Sequence, residues 1–368
     1  MSAPLRVVHV YKAFPPVRGG VEGHIALLTR LLLQRGVSTE VLCSREGGTL
    51  PIEELDGIHV RRCTAAFTLA SSPLPPTLPL ALYQSQADVV HLHLPWPPGE
   101  VAWLLGGRAR PLVVTIHCEA VRQARLARVL SPLTQRVLGA ASRILVTGAF
   151  MCSASIVAAH RERVQVVPLG VDLNHFRPGL PAADPLPDVA HPRIIFVGRL
   201  RHYKGLDVLA AALPRLPYAR LVVVGDGSGR GTLETALRLN GCRDRVHLLG
   251  EVDDDRLLQL FQTADVAVLP STSNAEAFGL AIAEAQACGV PAVTTEVGTG
   301  TAQTVANGIS GRVVPPNNSA ALAEALAWCL DPMHASTRRQ AARAHAEANL
   351  CARRMAAAVH AVYAELRP

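Results

Sequence analysis

The chain has 368 residues, of which 49% are hydrophobic, 18% charged and 4% aromatic, with 28 Gly and 27 Pro. That balance excludes a disordered or collagen-like chain, and the length provides for two domains, each burying its own core. Net charge is +7, and among 36 basic side chains only Lys12 and Lys204 are lysines.

The charge is uneven. Residues 1–177 carry 18 basic and 11 acidic side chains, whereas residues 178–368 carry 18 of each. The absence of Lys/Arg runs and the few aromatics argue against nucleic acid and leave an anionic small molecule or an anionic membrane face as partner, or simply an Arg-rich solvated surface. The eight cysteines include no Cys-x-x-Cys pair and sit mostly in apolar contexts, which points to reduced thiols rather than a disulfide or zinc framework. The first strand-like run has no signal-peptide pattern ahead of it, and no apolar window reaches ~18 residues, so a cytoplasmic location is expected.

In chain order, strand-like runs fall at Arg6–Val10, Thr39–Cys43, Asp88–Leu94, Leu112–Ile116, Arg143–Thr147 and Val164–Val167, with helical patterns at Val21–Gln34, Gln123–Leu138 and Met151–His160. The segment 177–192 holds five prolines, which neither a helix nor a central strand tolerates. Strands at Arg193–Val197, Arg220–Val224, Val246–Leu249, Asp265–Leu269 and Pro291–Thr295 then alternate with helices near 205–213, 231–239, 253–263, 278–288 and 318–330. This alternation predicts two doubly wound α/β domains, 1–177 and 193–335, joined by a linker at 178–192. The Ala/Arg-rich segment 336–368 is expected to be helical and to cross back to the first domain.

In parallel sheets ligands sit at the carboxyl ends of strands, so the loops there carry the chemistry. After the first strand, Gly19-Gly20 precede a helix and permit close approach of backbone N–H groups to an anion, though a plain tight turn would read the same. Arg199 and Lys204 follow the first strand of the second domain, a suitable pair of cations for a diphosphate. Glu284 lies in an otherwise apolar helix, where a carboxylate needs hydrogen-bond donors such as ribose hydroxyls. Glu276 precedes that helix, and Phe278-Gly279-Leu280 offer backbone N–H groups at its positive end. The run Gly225-Asp-Gly227-Ser-Gly229 lacks the rest of a dinucleotide fingerprint and reads as a turn. His91 and His93 share a strand face but show no ligand partner at metal spacing, and His117 ends the strand Leu112–Ile116.

These loops resemble those of retaining glycosyltransferases of family 4. The matching motifs are Gly-Gly-Val-Glu-x-His at 19–24, His117, Val-Pro-Leu-Gly-Val-Asp at 167–172, Gly-Arg-Leu-x-x-x-Lys-Gly at 198–205, Leu-Gly-Glu-Val at 249–252 and Glu-x-Phe-Gly-Leu-x-x-x-Glu at 276–284. The resemblance implies a GT-B fold, two Rossmann-like domains facing a deep cleft, and a nucleotide-sugar donor held mainly by the second. Arg199 and Lys204 would contact the diphosphate, Glu284 the ribose, Glu276 the transferred sugar, and Phe278, Gly279 and Leu280 the sugar and phosphate. Gly19 and Gly20 would approach the diphosphate, His117 would lie beside the sugar, and backbone near Val252 would receive the base. Glu276, His117, Arg199 and Lys204 are thereby the expected catalytic group, with no metal.

The stretches at 115–123 and 295–301 further resemble a mannosyltransferase-like subgroup of O-antigen and exopolysaccharide assembly, although His117-Cys118-Glu119 stands where that subgroup usually has His-Ser-Asp. The implied reaction moves a hexose, mannose from GDP-mannose or another GDP- or UDP-sugar, to a glycan or lipid-diphosphate-linked acceptor, with peripheral attachment at the inner membrane face. A GT-B epimerase or phosphorylase and a non-catalytic GT-B subunit are the alternatives. Contacts of Lys12, Glu22 and His24 with ligand stay open.

Overall fold

The computed structural model describes residues 4–69, 72–118 and 124–367. They divide into two compact units, 1–169 with 352–368, and 170–351.

The first unit contains β1 (Arg6–Val10), α1 (Gly20–Leu33), β2 (Ser38–Ser44), β3 (Ile52–Leu55), β4 (Ile58–Cys63), a short β5–β6 pair (Phe67–Leu69, Ser72–Leu74), α2 (Leu78–Gln84), β7 (Val89–Leu94), α3 (Pro97–Gly106), β8 (Leu112–Ile116), α4 (Ala124–Ala140), β9 (Arg143–Val146) and β10 (Val164–Val166). Its eight-stranded sheet runs β10-β9-β8-β7-β1-β2-β4-β3, parallel throughout except for the edge strand β3. Strand alternation sorts the side chains. Val8, Val10, Val90, Leu92, Val114 and Ile116 enter one apolar core, whereas Val7, Val89, Val113 and Leu145 enter another, under α1 and the C-terminal helix.

The second unit contains β11 (Arg193–Val197), α5 (Leu206–Ala212), β12 (Arg220–Val224), α6 (Arg230–Leu239), β13 (Val246–Gly250), α7 (Asp254–Gln262), β14 (Val266–Leu269), α8 (Leu280–Ala287), β15 (Ala292–Thr295), β16 (Gly311–Val314), α9 (Ser319–Leu330) and α10 (Ala335–Asn349). Its parallel sheet runs β13-β12-β11-β14-β15-β16. The strand order reverses direction around β1 in the first unit and between β11 and β14 in the second. Loops leaving these strands part to opposite sides and open the crevice where α/β sheets bind ligands.

Several segments differ from the sequence reading. Residues 170–177 belong to the second unit, and 178–192 are tied into it: the Arg193 guanidinium donates to Asp184 at 2.7 and 2.8 Å and to the Leu186 and Val189 carbonyls. The expected helix Met151–His160 is two 3₁₀ stretches, Ala149–Ser153 and Ser155–Arg163. The C-terminal segment forms two helices. Of these α10 stays with the second unit, and α11 (Ala352–Glu365) packs on α1 in the first, inserting fully buried Tyr363. With these bounds the first unit carries 20 basic and 11 acidic residues and the second 16 and 18.

Candidate functional site

In the second unit the site grows from two neighbouring loops. The loop after β11 starts at Gly198, runs through exposed Arg199 and a 3₁₀ turn at His202–Lys204, and enters α5 at Gly205. Gly205 has φ +67°, and a Cβ there would lie 1.9 Å from the Pro270 carbonyl oxygen, so only glycine allows the loops after β11 and β14 to touch. That contact brings Lys204 to Glu276. The two form an ion pair with each side chain 11% exposed, and Ser271 Oγ donates to the same Glu276 oxygen at 3.2 Å. The Glu276 carbonyl accepts from Thr299 Oγ1 at 2.7 Å, which holds the backbone around this carboxylate.

Three residues on, Gly279 caps α8 with φ +81°, where a Cβ would meet Leu269 Cδ2 at 3.0 Å. Phe278 is buried beneath the turn and Leu280 is the first helical residue, so the free N–H groups of α8 open beside Glu276. One turn into α8, Glu284 keeps some solvent exposure, yet protein crowds its carboxyl and burial pushes its pKa up to about 8, with Asp254 adding repulsion. Asp254 starts α7 two residues after Val252, which places the Val252 loop in electrostatic reach of Glu284. Arg199, Lys204, Val252, Glu276, Phe278–Leu280 and Glu284 thus all lie at the carboxyl ends of β11, β13 and β14. The glycine run 225–229 is a packing device: Cβ atoms at Gly225 and Gly227 would stand 2.3 and 2.5 Å from the carbonyls of Gly198 and Leu200.

In the first unit, Gly19 caps α1 and Gly20 is its first residue. Glu22 and His24 are buried on that helix, and Lys12 lies with its ammonium 5.7 Å from the Tyr11 ring centroid. His117 is 3% exposed, and its Nε2 lies 3.0 Å from His93 Nδ1, while His93 Nε2 lies 3.0 Å from His9 Nδ1. His91 bonds Tyr363 Oη and, at 2.7 Å, Thr115 Oγ1. His24 stands edge-on to His117 with centroids 5.2 Å apart. Burial pushes His9 down to about 3 and His24 to about 4, and holds His91, His93 and His117 well below the ordinary imidazole range, so all five are neutral at pH 7. His117 would therefore meet a sugar as a hydrogen-bonding group and not as a cation.

The sequence reading found no partners for His91 and His93. They come from other elements: His9, Thr115 and His117 share the parity of His91 and His93 across β1, β7 and β8, and registers His9↔His91 and His93↔Thr115 put them on one sheet face. The parity was the usable signal. Two overlapping trios, His9–His91–His93 and His24–His93–His117, each bring three ring nitrogens within 4.8 Å of one another. Glu119 lies outside the described residues.

The family model described as glycosyl transferases group 1 matches residues 184–346, and that of glycosyltransferase family 4 matches 18–175. The D-rhamnosyltransferase WbpZ of Pseudomonas aeruginosa is 32% identical over 88% of this chain and 86% of its own. The O-antigen chain mannosyltransferase C of Escherichia coli is 30% identical over 88% of each. A D-inositol 3-phosphate glycosyltransferase of Xylanimonas cellulosilytica is 34% identical over 84% of this chain and 82% of its own. Among solved structures, sucrose-phosphate synthase of Thermosynechococcus elongatus superposes with TM-score 0.81 at 22% identity over 98% of this chain and 99% of that one. HepE of Anabaena does so with TM-score 0.81 at 22% identity over 98% and 100%.

Proposed function

The chain belongs to family 4 of the glycosyltransferases and has their GT-B fold of two Rossmann-like units, and on that premise we propose that it is a retaining hexosyltransferase using a nucleotide-sugar donor, with GDP-mannose the first choice. The observation that carries this reading is the meeting of Lys204, Glu276 and the N-terminus of α8 at the strand-order reversal, with Glu284 one turn further along. A donor laid across these groups has its diphosphate at Arg199, Lys204 and the α8 N–H groups, its sugar hydroxyls donating to Glu276, its ribose hydroxyls donating to Glu284 and its base against backbone near Val252. Charge growing on the departing diphosphate is stabilised by these fixed donors, each worth about 2.7–4 kcal/mol by analogy with oxyanion-hole deletions. The leaving phosphate takes the proton of the attacking acceptor hydroxyl on the same face of the sugar, so configuration is retained, with no metal required in this step.

The manno donor is supported by two relatives: D-rhamnose is 6-deoxy-D-mannose, so the sugars named for WbpZ and mannosyltransferase C share one ring configuration. The O-antigen chain named for mannosyltransferase C supports a glycan or lipid-diphosphate-linked acceptor in cell-surface polysaccharide synthesis, which we assign to the first unit. Among the described residues no helix is long and apolar enough to cross a membrane. Peripheral attachment to an anionic membrane is supported by the excess of basic residues in the first unit and by Leu80, Tyr83, Leu105 and Val129, which are 57–75% exposed there. A thermal-shift panel of nucleotide sugars tests the donor. Stabilisation by GDP-mannose supports the reading, a response to UDP-sugars alone displaces it, and epimer formed without acceptor favours an epimerase.

A further inference from the structure

The five neutral histidines of the first unit lie where its strand order reverses, outside the groups assigned to the donor except for His117. We propose that His24, His93 and His117 form a binding site for a divalent transition-metal ion of the zinc class. Each of the three rings is buried and gives one nitrogen within 4.8 Å of the others. His93 Nδ1 and His117 Nε2 are 3.0 Å apart, and opening to about 3.3 Å would admit a tetrahedral ion at ~2.0–2.1 Å from each.

Within this trio two nitrogens need a partner that the described residues do not provide, and His9 Nε2 in the neighbouring trio is a third. His24 Nδ1 and His117 Nδ1 are buried without a hydrogen bond, a costly condition for polar atoms in a protein interior. An ion held through His24 Nδ1 would remove one such deficit. His93 would keep its Nε2 bond to His9 Nδ1, the kind of outer contact that fixes the orientation of a ligating imidazole. The overlapping trio of His9, His91 and His93 is less suited, because both nitrogens of His91 are already engaged by Tyr363 and Thr115.

The donor set selects the ion. Three imidazoles with no carboxylate or thiolate in the trio suit Zn²⁺, Co²⁺, Ni²⁺ or Cu²⁺, and not the oxygen-seeking Mg²⁺ or Ca²⁺. Three protein ligands leave a fourth position for an oxygen atom. The site shares His117 with the group expected beside the sugar, whereas Arg199, Lys204 and α8 belong to the second unit, so metal uptake is read apart from transfer.

The test uses the purified full chain, stripped with chelator and titrated with Co²⁺, read by visible d–d absorption and by metal analysis. One Co²⁺ per chain, displaced by Zn²⁺ and not by Mg²⁺, is expected. His24→Asn, near the start of α1, and His117→Asn should each weaken Co²⁺ binding at least tenfold, while His91→Asn retains it. Unfolding temperatures confirm that each variant is folded, and His24→Asn alone suffices if another is not. No Co²⁺ uptake, uptake unchanged in His24→Asn, or displacement by Mg²⁺ would overturn the proposal, whatever the enzyme's activity. So would loss in His91→Asn with His24→Asn unaffected, which would move the ion to the other trio.

Discussion

The ribose contact proposed for Glu284 predicts that donor binding depends on pH. Burial raises its pKa from 4.5 to about 8, so in the protein alone it is about nine-tenths protonated at pH 7. Ribose hydroxyls that donate to the carboxylate favour its ionised form and pull the pKa back toward its ordinary value. Binding a nucleotide sugar at pH 7 then releases about 0.9 proton, and affinity rises up to about tenfold per pH unit from pH 6 to 8 before levelling. The sign for stability follows from the same raised pKa. The stability tied to the neutral carboxyl is fully present below pH 4.5 and is lost as pH rises through 8, a loss of about 3 kcal/mol by pH 7. Glu284→Gln should remove the proton release, flatten the pH profile, weaken binding at pH 8 and raise the unfolding temperature at pH 8 while leaving it unchanged at pH 4. Calorimetric titration at pH 7 in two buffers of different ionisation enthalpy reads the proton directly. Equal enthalpies in both buffers, or proton release persisting in Glu284→Gln, would refute the ribose contact.

Three other perturbations bear on the site and its scaffold. Lys204→Ala should abolish transfer and also destabilise the protein by roughly 2 kcal/mol or more, because it strands the buried Glu276; Lys204→Met with Glu276→Gln should recover the stability and not the activity, as denaturant unfolding and turnover would record. Gly205→Ala meets both an unfavourable φ of +67° and the Pro270 carbonyl, so a loss of at least about 2 kcal/mol in chemical denaturation is expected, and a neutral result would contradict the loop geometry. Glu100 is buried on α3, with one oxygen unpartnered and its pKa pushed up to about 7. Since stability tied to its neutral form is lost as pH rises through 7, Glu100→Gln should stabilise the protein at pH 8, by up to about 3 kcal/mol, and not at pH 4.

What the sequence made legible was local. Arg199 with Lys204, and Glu276 through Glu284, each sit within a dozen residues of chain, so residue type and spacing exposed them before any fold was known. The pairing of Lys204 with Glu276 was not legible, since it depends on β11 and β14 becoming neighbours across 72 residues. The histidine cluster is more distributed still: its members come from β1, α1, β7 and the end of β8, and a common sheet parity links all of them but His24. Helices α2 and α3 are absent from the elements expected from the sequence; their prolines, Pro79, Pro97 and Pro98, stand in the first helical turn, where a missing N–H costs nothing. The β3–β4 hairpin carries an Asp56-Gly57 turn with both φ positive, a signal that Asp-Gly between strands supplies in the sequence itself.

The central claim is that the groups around Lys204, Glu276 and Glu284 hold a nucleotide sugar, and equilibrium binding tests it most directly. Calorimetry of the full chain with GDP-mannose and with UDP-sugars should give one saturable site for one nucleotide class, weakened at least tenfold in the Lys204→Met, Glu276→Gln double variant that preserves the fold. Saturable binding that is equally tight in that variant, or no binding of any nucleotide sugar by the folded protein, would contradict the account.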